Sequence, residues 1–145
     1  DLETSPEHAD TVERLVRSAL ASDAVGLARR HRSHRELYVG TLLGDRMVEG
    51  YVDLLVDTPE GLIIVDYKTD SASTPAEIDA KVATYELQGA AYAVALEAAT
   101  GRDIVECRFV FCQVAGAIER SVADLPAAKK RVAEAVIGGP ANVAE

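Results

Sequence analysis

The chain has 145 residues, 48% of them hydrophobic and 27% charged, and a formal net charge of −9. That length suits one domain around a single sizeable core, with ordinary globular composition. The negative balance excludes a free-standing nucleic-acid binder held by diffuse positive charge, no apolar run approaches the roughly 18 residues of a membrane span, and no G-x-x-x-x-G-K-[ST] loop marks an ATP-hydrolysing motor.

The opening DLETSPEHAD is acidic and polar, unlike a secretory signal; a cytoplasmic location and no membrane partner are expectations. The first residue is not Met, which points to an excised piece of a longer chain. Ser5-Pro6-Glu7 starts a helix, with a cap, a proline in the first turn and an early acid. Its apolar stripe is Val12, Leu15, Val16, Ala19 and Leu20, and a second short helix follows Ser22 through Val25 and Leu27 or Ala28. Residues 29–35, RRHRSHR, form the one dense basic run, either a solvated helix end or a contact for substrate phosphates.

Residues 34–70 hold three apolar, β-branched runs separated by Gly44-Asp45 and by Thr58-Pro59-Glu60-Gly61, the pattern of an antiparallel meander. If Gly44-Asp45 is the first loop, Leu43 faces Arg46 and Glu36 faces Asp53. If residues 58–61 are the second, Asp57 faces Leu62 and Asp53 faces Asp66. Opposed residues share a face, so Glu36, Asp53 and Asp66 form a row of acids, with Lys68 on the same face. Like charges about 5 Å apart repel by roughly 3 kcal/mol at an effective dielectric near 20, which protonation or a divalent cation relieves. Val48, Gly50, Val52, Leu54 and Val56 make one face that packs on helices.

Thr74 or Ser73 caps a helix that begins at Pro75 and ends at Thr100-Gly101. Tyr85, Gln88 and Tyr92 share one of its faces, and Leu87, Ala91, Val94 and Ala95 supply its apolar side. Ile104–Val114 reads as a strand and Ile118–Val122 as a short one. Asp124 then caps a last helix, through about Ile137, that Gly138-Gly139-Pro140 stops. Cys107 and Cys112 fall on opposite faces of one strand and read as small buried apolar residues without a disulfide.

Gly50-Tyr51-Val52-Asp53 followed by Asp66-Tyr67-Lys68-Thr69 resembles the C-terminal nuclease domain of RecB/AddA-type helicase–nucleases, within the PD-(D/E)XK superfamily. Asp53 matches the family's lone acid, Asp66-Tyr67-Lys68 its D-x-K element, Glu36 the acid on the preceding strand, and Gln88 with Tyr92 its Gln-x-x-x-Tyr pair. The likeness covers roughly residues 30–115. No match is found for the family's upstream histidine, since His8, His31 and His34 read as surface residues. With two cysteines the cluster-bearing relatives do not fit.

The resemblance implies an α/β fold of restriction-endonuclease type. Its mixed sheet has four to five strands, begins with the antiparallel meander, and carries helices on both sides. One domain spans 1–145, with N-terminal helices over 1–33, a catalytic core over 34–115 and a strand and helix over 116–145. The implied activity is magnesium-dependent hydrolysis of DNA, manganese substituting, in double-strand break processing and recombinational repair. Asp53, Asp66 and the Tyr67 carbonyl would hold the metal. Lys68, Glu36 and Gln88 would complete the catalytic set, and Tyr92, Arg32 and Arg35 would contact the substrate. Implied partners are single-stranded DNA, a helicase region of the same chain and a partner subunit. The alternative is a non-catalytic nuclease-fold module that binds DNA or a partner.

Overall fold

The computed structural model describes residues 5–137, so the expected stop at Gly138-Gly139-Pro140 lies outside the described residues. Helix α1 (Pro6–Leu20) begins where the Ser5 hydroxyl accepts from the His8 N–H, and α2 (Asp23–Arg30) where the Ser22 hydroxyl accepts from the Val25 N–H. The Glu119 carboxylate also accepts from the N–H groups of Asp23 and Ala24, at 2.8 and 2.9 Å, which places an anion on the positive end of α2. Strands β1 (Arg32–Leu43), β2 (Arg46–Thr58) and β3 (Gly61–Lys68) form the meander. Helix α3 (Pro75–Thr100) opens with a reciprocal Thr74/Glu77 capping box and closes on a left-handed Gly101. Strand β4 (Ile104–Phe111), strand β5 (Ile118–Ser121) and helix α4 (Leu125–Ile137) complete the order, with Asp124 capping α4 through the Ala127 N–H.

The strands stand in one sheet in chain order, antiparallel except for β3 and β4, which run parallel because α3 carries the chain back across the sheet. This is the mixed five-stranded α/β architecture expected. Both registers agree with the turn arithmetic: Leu43 pairs with Arg46, and Asp57 with Leu62. A larger core lies between the sheet and α3 and α4, built on Val52, Leu55, Ile64, Leu96, Phe109 and Phe111. A smaller one, built on Ala24, Leu54, Val56, Ile63, Val65 and Val110, lies under α1 and α2. Cys107 belongs to the first and Cys112 to the second; both are free, on opposite faces as their spacing requires.

Four expectations need correction. Val48 and Val52 face the larger core, but Leu54 and Val56 face the smaller, so the five-residue face from Val48 to Val56 is not continuous. Alternation slips at Asp53, opposite a left-handed Glu36 (φ 50°), and β1 slips with it: Leu37 packs on the larger core, whereas Arg35 lines a hollow beside Leu54. On α1, Leu15 and Ala19 pack inward, but Val12, Val16 and Leu20 are about half exposed. On α3 the buried residues include Gly89, Ala90, Ala93, Leu96 and the expected Ala95, while Leu87 is exposed. Finally, β4 ends at Phe111 rather than Val114.

Candidate active site

The β2–β3 ladder ends at the Leu54–Val65 rung, one short of Asp53 and Asp66. On β3 the groups of Leu62 and Lys68 point to the β4 side: the Leu62 N–H donates to Asp103 O, and Lys68 O accepts from the Cys112 N–H. By strand alternation the N–H and carbonyl of Tyr67 point the other way, towards β2. There the rung is missing, and the Tyr67 N–H donates instead to Asp53 Oδ2 at 2.8 Å. Asp53 thus replaces a ladder partner, which fixes its carboxylate against β3 and leaves the Tyr67 carbonyl aimed into the same gap.

Asp53 and Asp66 lie within hydrogen-bonding reach of each other. Burial, then the bond with Asp66, pushes the Asp53 carboxyl up to about 6, although the Tyr67 N–H and the Lys68 ammonium pull it down. Without a cation, Asp53 therefore keeps a proton to higher pH than a free carboxyl does, and releases it near pH 6. Lys68 Nζ stands 2.8 Å from Asp66 Oδ2 and 3.7 Å over the Tyr85 ring, which favours a cation there. The Tyr85 hydroxyl donates to Asp70 Oδ2 at 2.7 Å, so the ring itself is held.

Two hollows flank this pair. On the α3 side a cleft of about 120 Å³ is lined by Asp66, Lys68, Gln88 and Tyr92 among others. On the α1–α2 side a hollow of about 510 Å³ is lined by Arg35, Glu36, Asp53 and Tyr67. The structure therefore brings Asp53, Asp66, Tyr67 and Lys68 together, but not in the one-faced row expected: Asp66 and Lys68 open to the α3-side cleft with Gln88 and Tyr92, and Asp53 opens to the other hollow with Glu36 and Arg35. Among the described residues no three His, Cys, Asp or Glu side chains gather as a metal-holding group, so Glu36 does not join the Asp53–Asp66 pair directly. Arg32 pairs with Asp57 across the ladder, three residues from Arg35 and so on the opposite face. His8 and His34 are exposed.

Two glycines allow close approaches that were not expected from the sequence. A Cβ at Gly50 would collide with the Tyr92 hydroxyl, and one at Gly89 would lie 2.6 Å from Cys107 Sγ. The first lets Tyr92 reach over β2; the second lets α3 press onto β4, which carries Gln88 to the cleft. An isolated glycine inside a strand or helix pattern is the signal that would have found both.

Fold and site together are of the nuclease class. A family model of the PD-(D/E)XK nuclease superfamily matches residues 3–140, and the chain belongs to that superfamily. An ATP-dependent helicase/nuclease subunit of Alkaliphilus oremlandii is 43% identical over 60 residues, covering 41% of this chain and 5% of that protein. The corresponding ATP-dependent helicase/nuclease subunit of Acetivibrio thermocellus is 32% identical over 77 residues, covering 52% and 6%. The chain thus spans only about one-twentieth of the length of these relatives. The crystal structure of SSO0001 superposes with a TM-score of 0.48 at 15% identity, covering 88% of this chain and 58% of that one. Among the described residues no helix is long and apolar enough to cross a membrane.

Proposed function

We propose that this domain is a divalent-metal-dependent deoxyribonuclease of a helicase–nuclease, cutting single-stranded DNA during double-strand break processing and recombinational repair. The observation that carries the reading is the Asp53–Asp66 pair, close enough to share a proton, with the Lys68 ammonium 2.8 Å from Asp66. Two carboxylates and the Tyr67 carbonyl are an all-oxygen donor set, which fits a hard cation such as magnesium, with manganese as substitute. Such an ion, when bound, lowers the pKa of a coordinated water and offsets charge on the phosphate.

The chain's own residues do the rest. Asp53 and Asp66 bind, and the Tyr67 N–H holds Asp53 in place. Lys68, poised by Asp66 and Tyr85, orients the attacking water and donates to the phosphate oxygen on which charge develops. Glu36 faces the pair from the other hollow and orders its water shell. Gln88 and Tyr92 position the strand from the α3 side, and Arg35 meets a neighbouring phosphate. Arg32, on the other face, does not join Arg35 in that contact.

The test is magnesium-dependent cleavage of single-stranded DNA by the intact protein, beside Asp66→Ala and Lys68→Ala. Both variants should lose cleavage. Equal cleavage by all three would reject the assignment and leave a non-catalytic module that binds DNA or a partner.

A further inference from the structure

The α1–α2 side of the sheet carries a track of adjacent hollows that passes Asp53. At one end is a groove of about 430 Å³ whose lining includes Val25, Arg29, Arg35 and Tyr67. It shares Arg35 and Tyr67 with the hollow that holds Glu36 and Asp53, so the two lie side by side. Among the described residues neither Arg29 nor Arg35 makes an ion pair. In a chain of net charge −9, two uncommitted guanidinium groups beside a carboxylate site stand out as anion contacts.

On the far side of the acids lies the β1–β2 hairpin. Leu37, Val39, Val48 and Val52 turn to the larger core, so Tyr38 and Tyr51 turn to the other face, the one that carries the track. These two tyrosines are paired across the ladder, 54% and 68% exposed. Their rings meet edge to face with centroids 5.5 Å apart, and the Tyr38 hydroxyl donates to Glu49 Oε2 at 2.9 Å, which fixes the first ring. Each sits two residues from an acid of the site, about 7 Å along its strand. Exposed, braced aromatic rings beside acids suit the flat face of a base rather than a phosphate. Glu36 and Glu49 on either side repel phosphate and leave it to the arginine end.

We propose that Tyr38 and Tyr51 are a base-stacking platform that holds an unpaired nucleotide next to the one cut, with Arg29 and Arg35 taking the backbone on the other side of the acid pair. This rests on the nuclease reading and deepens it: bases inside a duplex cannot stack on the platform, so it selects single strands.

The experiment is single-turnover, magnesium-dependent cleavage by the intact protein, without nucleoside triphosphate. The probes are an oligothymidine and a strand of equal length that is abasic throughout. A stacked base contributes about 5- to 150-fold to binding. Tyr38→Ala/Tyr51→Ala should therefore slow oligothymidine cleavage by a factor in that range at subsaturating DNA, while cleavage of the abasic strand is unchanged. Tyr51→Phe, which keeps both rings and the Tyr38–Glu49 bond, should retain the wild-type rate. Photo-cross-linking of a 5-iodouridine strand should mark Tyr38 or Tyr51. Equal effects of the alanine pair on both strands, no effect on either, or cross-links confined elsewhere would overturn the platform. If wild type cuts, Asp66→Ala does not, and the alanine pair behaves as wild type, the platform alone falls. If wild type and Asp66→Ala behave alike, the nuclease reading falls.

Discussion

Asp53→Asn should make the metal-free protein more stable while removing its activity. The carboxamide keeps an oxygen for the Tyr67 N–H and gains an N–H₂ to donate to Asp66, so both contacts survive without the second negative charge. The magnitude follows from the wild-type carboxyl, raised from 3.8 to about 6. A shift of about 2 units corresponds to about 3 kcal/mol. Asp53 is only half-buried, so solvent screening reduces the expected gain to about 1–2 kcal/mol. The sign is fixed by linkage: between pH 3.8 and about 6 the folded state holds a proton that the unfolded state has released. Wild-type stability therefore falls as pH rises through that window, and the deficit is complete above it. The carboxamide does not titrate in either state, so the difference should be small near pH 4 and full by pH 7.5. In thermal melts with chelator at pH 7.5 the variant should melt higher by about 3–8 °C. Magnesium should raise wild type towards the variant and leave the variant unmoved, because the cation supplies what the substitution supplied. A variant that melts lower than wild type without metal, or shows the same pH slope, would refute the proton-sharing pair.

Lys68→Ala should reduce cleavage by about 10²- to 10³-fold, the range for loss of one donor to a developing oxyanion. Tyr85→Leu, which removes only the ring beneath Lys68, should cause a smaller loss, both read as single-turnover rates. Gly50→Ala puts a Cβ against the Tyr92 hydroxyl and should destabilise by about 1–3 kcal/mol in denaturant titrations; Tyr92→Phe in the same chain should recover part of it. Burial pushes the Cys107 thiol up to about 12, so it should resist a thiol reagent at pH 8 in the native protein and react on unfolding.

The sheet was largely legible because its turns are explicit. Gly44-Asp45 and Thr58–Gly61 set both registers to the residue, and capping residues placed the starts of α1, α2, α3 and α4. Pattern reasoning did worse where tertiary packing decides between similar residues. The α3 face is nearly all small or apolar, so Leu87 was no worse a core candidate than Ala90, until the close approach allowed by Gly89 selected the latter. Val12, Val16 and Leu20 continue the α1 stripe, but α1 turns Leu15, Ser18 and Ala19 inward instead.

The slip at Glu36 and Asp53 was invisible for a different reason, and it is what makes the site. Strict period-two alternation carries every even residue of β2 to one face, and nothing in GYVDLLV announces a break. Had the ladder run on past the acids, Tyr67 would have exchanged both backbone bonds with Val52, and neither its N–H nor its carbonyl would have been free for the gap. Ending at Leu54–Val65 frees both, one to hold Asp53 and one to face whatever the acids hold. The left-handed backbone of Glu36 is the strain that accompanies this arrangement, of order 1 kcal/mol for a residue with a Cβ. It follows that Glu36→Gly should relieve strain and stabilise the fold slightly, whereas Glu36→Ala should not, although both remove the carboxylate. Equal cleavage defects with opposite shifts in melting temperature would separate the acid's chemical role from the backbone's structural one; identical melting shifts would mean that the slip is held by Asp53 alone.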